Sequence, residues 1–373
     1  MTLRSTIITC LVVAAFFHTS TGRAEIFQFP PLSQAGNAGL AEIIAPDTPK
    51  VIIYGSADIE AFQPAIDGFR HHAPQVAVEY HQLQTLEMYD RVLAESGDGE
   101  LAADLVISSS MDLQMKLAND GYARPHDSNE IAALPKWASW RNEAFAITQE
   151  PAVIVYNRRF FRDHNLTPPT TRNALLNMLS QQADLFEERI ITYDVERSGV
   201  GFLFLARDER HYDPIWDLIR EFGKVRVKLF SNTSPMLEKI AEGQVVLGYN
   251  LLGSYAETFS HRNPNVGVIL PDDYIVVYSR IAIIPRSARN PDLGGQFLDY
   301  ILSVEGQEIL QNDGNFSPVR SDVPSGPNMT IQLDRHGERV RSFPVGPGLL
   351  VYLDQAKRER FITRWQDSLM GRR

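Results

Sequence analysis

The sequence predicts an α/β protein of two doubly wound lobes that are joined by two extended crossings. Short apolar runs alternate with segments of helical periodicity, which is typical of a parallel sheet covered by helices on both faces. The alternation occurs in two successive rounds, and two apolar stretches near residues 146–156 and 274–285 are long for a single strand. The 373 residues suffice for two domains with a sizeable core each.

The first round begins with the apolar strand VIIY at residues 51–54, which Gly55 and Ser56 end. Apolar residues then recur at helical spacing over residues 59–69 and predict a helix that Ser56 can cap. The strand VAVEYHQ and the helix TLEMYDRVLAES follow. ADLVIS, three serines and an amphipathic helix ending near Gly121 complete the round.

In the second round, NALLNMLSQQ is predicted to be a helix, RIITYD a strand and GVGFLFLA a helix. SPMLEKIAEG, QVVLGYNLL and SYAETFSHR continue as helix, strand and helix, and a helix pair and an amphipathic C-terminal helix end the chain. We assign residues 25–148 and 285–373 to lobe one, and residues 149–284 to lobe two. Ligands of such sheets bind at the carboxyl ends of strands, and two facing lobes close by a hinge motion.

Residues 1–24 are predicted to be a secretory signal peptide that is cleaved near Ala24. Arg4 provides the positive charge, an apolar run of about 13 residues follows, and Gly22 and Ala24 are the small residues that favour cleavage. The alternative is a membrane anchor, but a spanning helix needs roughly 20 residues. We therefore expect an exported, periplasmic protein.

The composition excludes several classes of function. Cys10 is the only cysteine and lies in the predicted signal, so the mature chain has no disulfide, thiolate metal site or cysteine nucleophile. The net charge of −10 argues against nucleic acid as a partner. His71 and His72 are adjacent at a predicted helix end and would point in different directions, which favours a feature of the helix C-terminus over a zinc site with His81. We expect no metal and no cofactor.

Several stretches of the sequence, in their order and spacing, resemble the extracellular solute-binding proteins of ABC importers. They are VIIYGSADIEAFQPAIDGFR, ADLVISSSMDLQMKLANDGYARP, PAVIVYNRRFF, AEGQVVLGYNLL and FLDYILSVEGQEILQNDGNFSPVR. The resemblance covers about residues 48–322 and points to the branch of ferric-ion, sugar-phosphate and phosphoglycerate binders. It implies a type II periplasmic-binding-protein-like fold and a monomer that brings a small solute to an ABC transporter permease and catalyses no reaction.

The ferric members of this branch differ from the chain at one place. They carry adjacent tyrosines after the strand that VVLGYNLL resembles, where this chain has Gly253-Ser254-Tyr255. Ferric iron prefers hard, anionic oxygen ligands, and Tyr255 with Tyr249 is a small set. The phosphate-type members resemble the chain better, and they hold their anion with hydroxyls and backbone amides at helix starts.

Three helix starts from the two lobes are predicted to converge on one anion. Ser198 and Gly199 start a helix, where free N–H groups and the helix dipole favour negative charge. Arg197 could add a bidentate contact. The alternatives are an ordinary N-cap for the serines and a solvated side chain for Arg197. The corresponding turns of lobe one supply Ser56, Ala57, Ser109 and Ser110.

Polar side chains near the crossings are further candidates for ligand binding. Glu150 is either a hinge residue or a contact for ligand hydroxyls. Arg280 lies on the second crossing and either faces the cleft or forms a surface salt bridge. Tyr156 follows the first crossing, and Tyr249 with Asn250 ends a strand of lobe two. For Tyr249, packing in the core is the alternative.

The sequence therefore predicts a protein that binds an organophosphate or organic acid between two lobes and delivers it to an ABC importer. Three alternatives stay open: a ferric-ion-binding protein, a ligand-sensing adaptor for a membrane histidine kinase, and an exported enzyme on the same scaffold. The enzyme is disfavoured because the sequence has no recognisable nucleophile–base set.

Overall fold

The computed structural model of the protein describes residues 25–34, 47–97, 99, 101–324, 326 and 337–372. Strands in these ranges form two mixed sheets of seven strands each, and helices cover both sheets. The predicted α/β class with two lobes is confirmed. The signal peptide predicted for residues 1–24 lies outside the described residues. Within the described ranges, no helix is both long enough and apolar enough to cross a membrane.

The first sheet forms the core of lobe one and holds strands that are far apart in the chain. In spatial order they are β1 (Glu25–Phe29), β3 (Ala77–Gln82), β2 (Lys50–Gly55), β4 (Leu105–Ser108), β13 (Ile281–Ile283), β6 (Ala144–Ala146) and β5 (Ser139–Trp140). At its centre, β2 pairs in parallel with β3 and β4. The apolar runs of these strands are mostly buried, as expected for parallel strands with helices on both faces.

The second sheet forms the core of lobe two. In spatial order its strands are β14 (Val340–Ser342), β12 (Ile275–Tyr278), β7 (Glu150–Asn157), β10 (Leu247–Leu252), β8 (Ile190–Tyr193) and β9 (Lys228–Phe230), with β11 (Val266–Ile269) beside β7. β8 pairs in parallel with β9 and β10, whereas β7 and β10 are antiparallel. The register of that pair shifts between Gly248 and Leu251, where Asn250 has a φ of 59°.

The helices follow the strands in the predicted alternation. Lobe one has α1 (Ile59–His72), α2 (Thr85–Gly97), α3 (Met111–Asn119), α4 (Asn129–Ala132), α12 (Pro291–Leu302) and α13 (Val304–Asn312). Lobe two has α5 (Arg158–Asp163), α6 (Arg172–Gln181), α7 (Ala183–Phe186), α8 (Gly199–His211), α9 (Ile215–Lys224), α10 (Thr233–Ala241), α11 (Gly253–Arg262) and α14 (Gln355–Leu369). Short 3-10 helices lie at Leu32–Gln34, Lys136–Ala138, Gly337–Arg339 and Pro347–Tyr352.

The helix α1 shows how the sequence pattern becomes packing. Phe62, Ile66 and Phe69, which recur at helical spacing, are buried on one face of the helix. Phe69 packs against Phe297 of α12, with ring centroids 4.7 Å apart. The C-terminal helix pair therefore belongs to the core of lobe one, although α1 lies more than 200 residues before it in the chain.

The chain changes sheets at two short crossings, and their bounds differ from the predicted ones. The first lies at residues 147–149, between β6 and β7, and the second at residues 279–280, between β12 and β13. The sequence placed the second boundary after residue 284, but β13 already pairs in the first sheet. The sequence also assigned residues 285–373 to lobe one, whereas β14 and α14 pack on lobe two. Periodicity identifies an amphipathic face but not the lobe that it contacts.

Candidate functional site

The two lobes face each other where the carboxyl ends of β2 and β4 meet the starts of α8 and α11; we call this junction the cleft. Among the described residues, three hydrogen bonds cross it. Asp58 N donates to Tyr255 Oη (2.8 Å), Gly199 N donates to Thr85 Oγ1 (3.1 Å), and Ser234 Oγ donates to Asp58 Oδ2 (2.5 Å). The structure therefore has its lobes in contact across the cleft.

On the lobe-one side, the predicted serines lie together at the ends of β2 and β4. Ser56 Oγ accepts a hydrogen bond from Ser109 N (3.0 Å), and the Ala57 carbonyl accepts one from Tyr80 Oη (2.7 Å). Ser109 and Ser110 are buried, whereas Ser56 is partly exposed. The structure thus brings Ser56, Ala57, Ser109 and Ser110 to one edge of the sheet, as the rule for parallel strands predicts.

The hydroxyl of Ser110 has a partner of its own. It donates to Asp112 Oδ1 at 2.7 Å, and the same carboxylate oxygen accepts from Leu113 N at 2.9 Å. Asp112 is almost fully buried in α3, and this burial raises the pKa of its carboxyl to about 6. Asp112 therefore orients Ser110 at the edge of the cleft.

On the lobe-two side, the start of α8 lies against lobe one. Ser198 is the N-cap of α8, and its Oγ accepts from Gly201 N at 3.2 Å. A Cβ atom on Gly199 would lie 2.4 Å from Ser110 Oγ, so glycine is needed for this close approach. Ser198 therefore caps α8, as one of the two alternatives predicted, and the first turn of this helix contacts lobe one.

Arg197 does not join the cleft. Its side chain is 83% exposed, and its Nε lies 3.7 Å from Asp194 Oδ2 in the same turn. The turn that precedes α8 directs this side chain into solvent and away from the groups that line the cleft. The side chain of Arg197 is therefore solvated, as in the alternative to a ligand contact.

Arg280 and Glu150 form a fully buried ion pair at the two crossings. Arg280 Nε donates to Glu150 Oε1 (3.0 Å), and Nη2 lies 3.4 Å from Oε2. Three hydroxyl groups also donate to the carboxylate, at 2.5 to 2.9 Å; they belong to Thr148, Ser254 and Tyr278. Glu150 therefore serves as the buried partner of Arg280, and neither residue forms a surface salt bridge.

One nitrogen of Arg280 has no partner among the described residues. Nη1 is buried and lacks a hydrogen bond, while the guanidinium carbon lies 5.6 Å from the ring centroid of Tyr255 and 4.9 Å from that of Phe316. Burial raises the pKa of Asp58; the hydrogen bond from Ser234 and the charge of Arg280 oppose that effect. Burial also raises the pKa of Tyr255, which the Arg280 charge again opposes. The charge of Arg280 thus affects the pKa of one residue on each side of the cleft.

Tyr249 and Asn250 belong to a different network, inside lobe two. Tyr249 Oη and Asn250 Nδ2 both donate to Asp208 Oδ2 at 2.7 Å. Asp208 also pairs with the fully buried Arg172 (3.0 Å) and accepts from Tyr274 Oη (2.6 Å). Tyr249 therefore packs in the core of lobe two, which was the alternative to ligand binding. Asn250 shares its partner, Asp208.

Tyr156 lies away from the cleft. It sits near the far end of β7, where it pairs with Leu247 and Gly267, and its ring packs against Phe161 (5.3 Å). At about 3.3 Å per strand residue, roughly 20 Å of β7 separate it from Glu150. Its position right after the predicted crossing was misleading because the crossing ends before β7 begins.

Several polar residues of the cleft were not predicted from the sequence. Asp58 follows Ser56 and Ala57 directly and precedes α1, so its place at a helix start was a usable signal. The others needed knowledge of which helix starts face each other. They are Thr85, Ser234, Ser254 and Tyr278.

The tyrosines proposed for ferric iron lie in separate networks. Tyr255 accepts a hydrogen bond from Asp58 N in the cleft, whereas Tyr249 donates to Asp208 in the core of lobe two. In the described part of the chain, no group of three or more histidine, cysteine, aspartate or glutamate residues is arranged to hold a metal ion. His71 and His72 end α1, as expected.

Comparisons with known proteins agree with this architecture. The family model of the bacterial extracellular solute-binding proteins matches residues 55–308. The substrate-binding protein of an ABC transporter from Agrobacterium tumefaciens is 42% identical, with a TM-score of 0.87 over 94% of this chain and 100% of that chain. A search of curated proteins finds no match.

Two more distant structures share the fold. The periplasmic binding protein AfuA from Actinobacillus pleuropneumoniae, solved with exogenous fructose-6-phosphate bound, is 18% identical, with a TM-score of 0.73 over 87% of this chain and 99% of that chain. Iron-bound HitA from Pseudomonas aeruginosa is 16% identical, with a TM-score of 0.66 over 86% of this chain and 99% of that chain.

Proposed function

Since this chain belongs to the family of bacterial extracellular solute-binding proteins, we propose that its solute is a small organic anion, an organophosphate or an organic acid. The chain is a periplasmic solute-binding protein of an ABC transporter, and such proteins deliver their ligand to a membrane permease. The anion would bind between the two lobes, with Arg280 as its principal contact.

The unpartnered Nη1 of Arg280 is the observation that carries this proposal. A buried donor without a partner is disfavoured by about 1–3 kcal/mol, and by more when it is charged. An oxygen of a phosphate or carboxylate would satisfy this nitrogen with a charge-assisted hydrogen bond. Because the other side of the guanidinium is held by Glu150, Nη1 has a fixed direction.

Both lobes supply groups that suit the rest of an anion. The hydroxyls of Ser56 and Ser109 lie at the end of the first sheet, and the starts of α8 and α11 face them from lobe two. The dipole at a helix start favours negative charge. Glu150 already balances the charge of Arg280, so directed hydrogen bonds, and not a net positive charge, would hold the ligand.

Asp58 favours a ligand that also carries hydroxyl groups. Its carboxyl lies at the cleft and accepts from Ser234, and burial raises its pKa. A carboxylate at this position accepts hydrogen bonds from ligand hydroxyls, and a protonated carboxyl does not repel an anion. The fructose-6-phosphate in AfuA, which shares this fold, has both chemical features and supports a sugar phosphate as the first ligand to test.

The alternatives have less support. The separation of Tyr249 from Tyr255 disfavours a ferric site built on both. The similarity to a transporter component from Agrobacterium tumefaciens favours delivery to a permease over docking to a sensor kinase. The family consists of binding proteins, which favours capture of a solute over catalysis.

A thermal-shift screen tests the proposal on three proteins. They are the wild type, the double variant Glu150→Gln with Arg280→Met, and Arg197→Ala as a matched arginine control outside the cleft. The ligands are fructose 6-phosphate, phosphoglycerates, dicarboxylates and ferric citrate. A ligand at 100 times its dissociation constant stabilises the folded state by about 2.7 kcal/mol, which raises the melting temperature by several degrees.

We expect at least one organic anion to stabilise the wild type and Arg197→Ala equally and to leave the double variant unchanged. The double variant removes both charges together, so it does not bury an unpaired ion. Equal stabilisation of all three proteins would overturn the role of Arg280, and a shift with ferric citrate alone would overturn the organic anion.

A further inference from the structure

The C-terminal residues 340–369, which we call the strap, contact both lobes outside the two crossings. The strap begins on lobe two, where β14 pairs in parallel with β12 and Phe343 N donates to the Val277 carbonyl at 3.2 Å. The guanidinium of Arg207, from α8, lies 4.6 Å from the ring centroid of Phe343. This first part of the strap is thus attached to the second sheet.

The strap then passes to lobe one. Val345 N donates to the Trp137 carbonyl at 2.8 Å, and the side chains of Val345 and Leu349 are 6% and 5% exposed. The short helix Pro347–Tyr352 packs against α3 of lobe one. Both side chains belong to the large apolar cluster that also contains Met111 and Met115 of α3.

The strap returns to lobe two in its last part. The helix α14 packs along α9, and the Phe361 ring lies 5.1 Å from that of Phe202 and 5.3 Å from that of Trp216. Gln366 Nε2 donates to Glu196 at 2.5 Å, in the turn before α8. Residues 340–369 therefore contact lobe two, lobe one and lobe two in succession.

The spacing of these contacts limits how far the lobes can separate. Phe343 is hydrogen-bonded to lobe two and Val345 is hydrogen-bonded to lobe one. Only Pro344 lies between them. Two residues of extended chain span at most about 7 Å. The lobes cannot move apart at this point unless one of the two hydrogen bonds breaks.

We propose that the strap is a third connection between the lobes, which restrains their opening and stabilises the contact between α3 and α8 at the cleft. The short helix of the strap packs on α3, whose preceding Ser110 faces Gly199 at the start of α8. Contacts of the strap with α3 therefore hold this side of the cleft closed. The inference is independent of which solute binds.

Distance measurements between spin labels in the ligand-free protein test the strap. The labels are attached through Arg159→Cys on α5 and Glu308→Cys on α13, with Cys10→Ser; both labelled side chains are exposed and lie on different lobes. Leu349→Asp places a charge on the buried side of the short helix that packs against α3. Val351→Asp is the matched control, because Val351 lies in the same short helix and is 39% exposed.

We expect Leu349→Asp to add a longer distance and to raise the ratio of open to closed molecules by roughly tenfold or more. Val351→Asp should keep the wild-type distribution. Leu349→Ala provides a milder test if the aspartate variant unfolds, and its distribution should shift in the same direction. Unchanged distances in Leu349→Ala or Leu349→Asp would overturn the proposal, as would an equal change in Val351→Asp. A failed anion screen leaves this result unaffected, since no ligand is present.

Discussion

The buried pair of Arg280 and Glu150 permits a quantitative prediction. Glu150→Gln leaves the shape of the side chain intact and removes the negative charge, so Arg280 becomes an uncompensated buried cation. Both side chains are fully buried, and breaking such a pair from one side costs about 3–5 kcal/mol. The amide oxygen of glutamine still accepts from Tyr278, so most of the loss is expected to come from the missing charge.

A double-mutant cycle separates the charge pair from other effects. We expect Glu150→Gln to lower the free energy of unfolding by about 3–5 kcal/mol, and the double variant with Arg280→Met to recover at least half of this loss. Urea denaturation of each variant gives the free energy from the midpoint and the slope. The control is Arg226→Ala, which removes ion pairs with Glu187 and Glu188. All three side chains are at least half exposed, so the substitution is expected to cost at most about 1 kcal/mol.

Additive effects of the two single substitutions in the double variant would refute this prediction. Additivity would mean that Arg280 and Glu150 do not stabilise each other, and hence that water reaches the pair. A loss below about 1 kcal/mol for Glu150→Gln would have the same meaning, since exposed pairs contribute that little.

Three further predictions concern the contacts around the cleft. Gly199→Val places side-chain atoms against Ser110 Oγ, so the lobes should separate and the radius of gyration in X-ray scattering should increase; an unchanged radius would contradict the close contact. Burial raises the pKa of Asp112 to about 6, so its charged form opposes folding and the stability that it contributes is complete below pH 4 and lost as the pH rises through 6. Relative to Asp112→Asn, the wild type should lose about 2 kcal/mol between pH 4 and pH 7, and a constant difference in urea titrations would refute this origin. Tyr255→Phe removes the acceptor of Asp58 N, and a ligand identified by the screen should bind less tightly in calorimetry; equal affinity would show that this hydrogen bond does not stabilise the closed lobes.

The features that were predicted correctly depend on local patterns or on a general rule of sheet topology. The helix α1 follows from the spacing of its apolar residues, and the meeting of Ser56 with Ser109 follows from parallel strands that end at one edge. Both inferences use information within a few residues of each element. They hold because local periodicity and burial agree in this fold.

The features that were missed depend on partners far away in the chain. Glu150 and Arg280 were each considered alone, but they lie 130 residues apart in sequence and determine each other's role. Tyr249 was a reasonable candidate until Asp208, 41 residues away, proved to be its partner. The direction of the Arg197 side chain depends on the turn before α8. A periodic pattern does not predict where the side chain of a single turn residue points.

The position of Arg280 connects the proposed ligand contact with the hinge between the lobes. Its backbone N donates to Thr148 Oγ1, and its carbonyl accepts from Ile147 N, so it joins the second crossing to the first. A solute bound to Nη1 would therefore act directly on both crossings, in addition to contacting the helix starts of the two lobes. The strap is attached at Val277, two residues before the second crossing begins. Opening must then bend three connections that lie close together, which favours one hinge direction over free separation of the lobes.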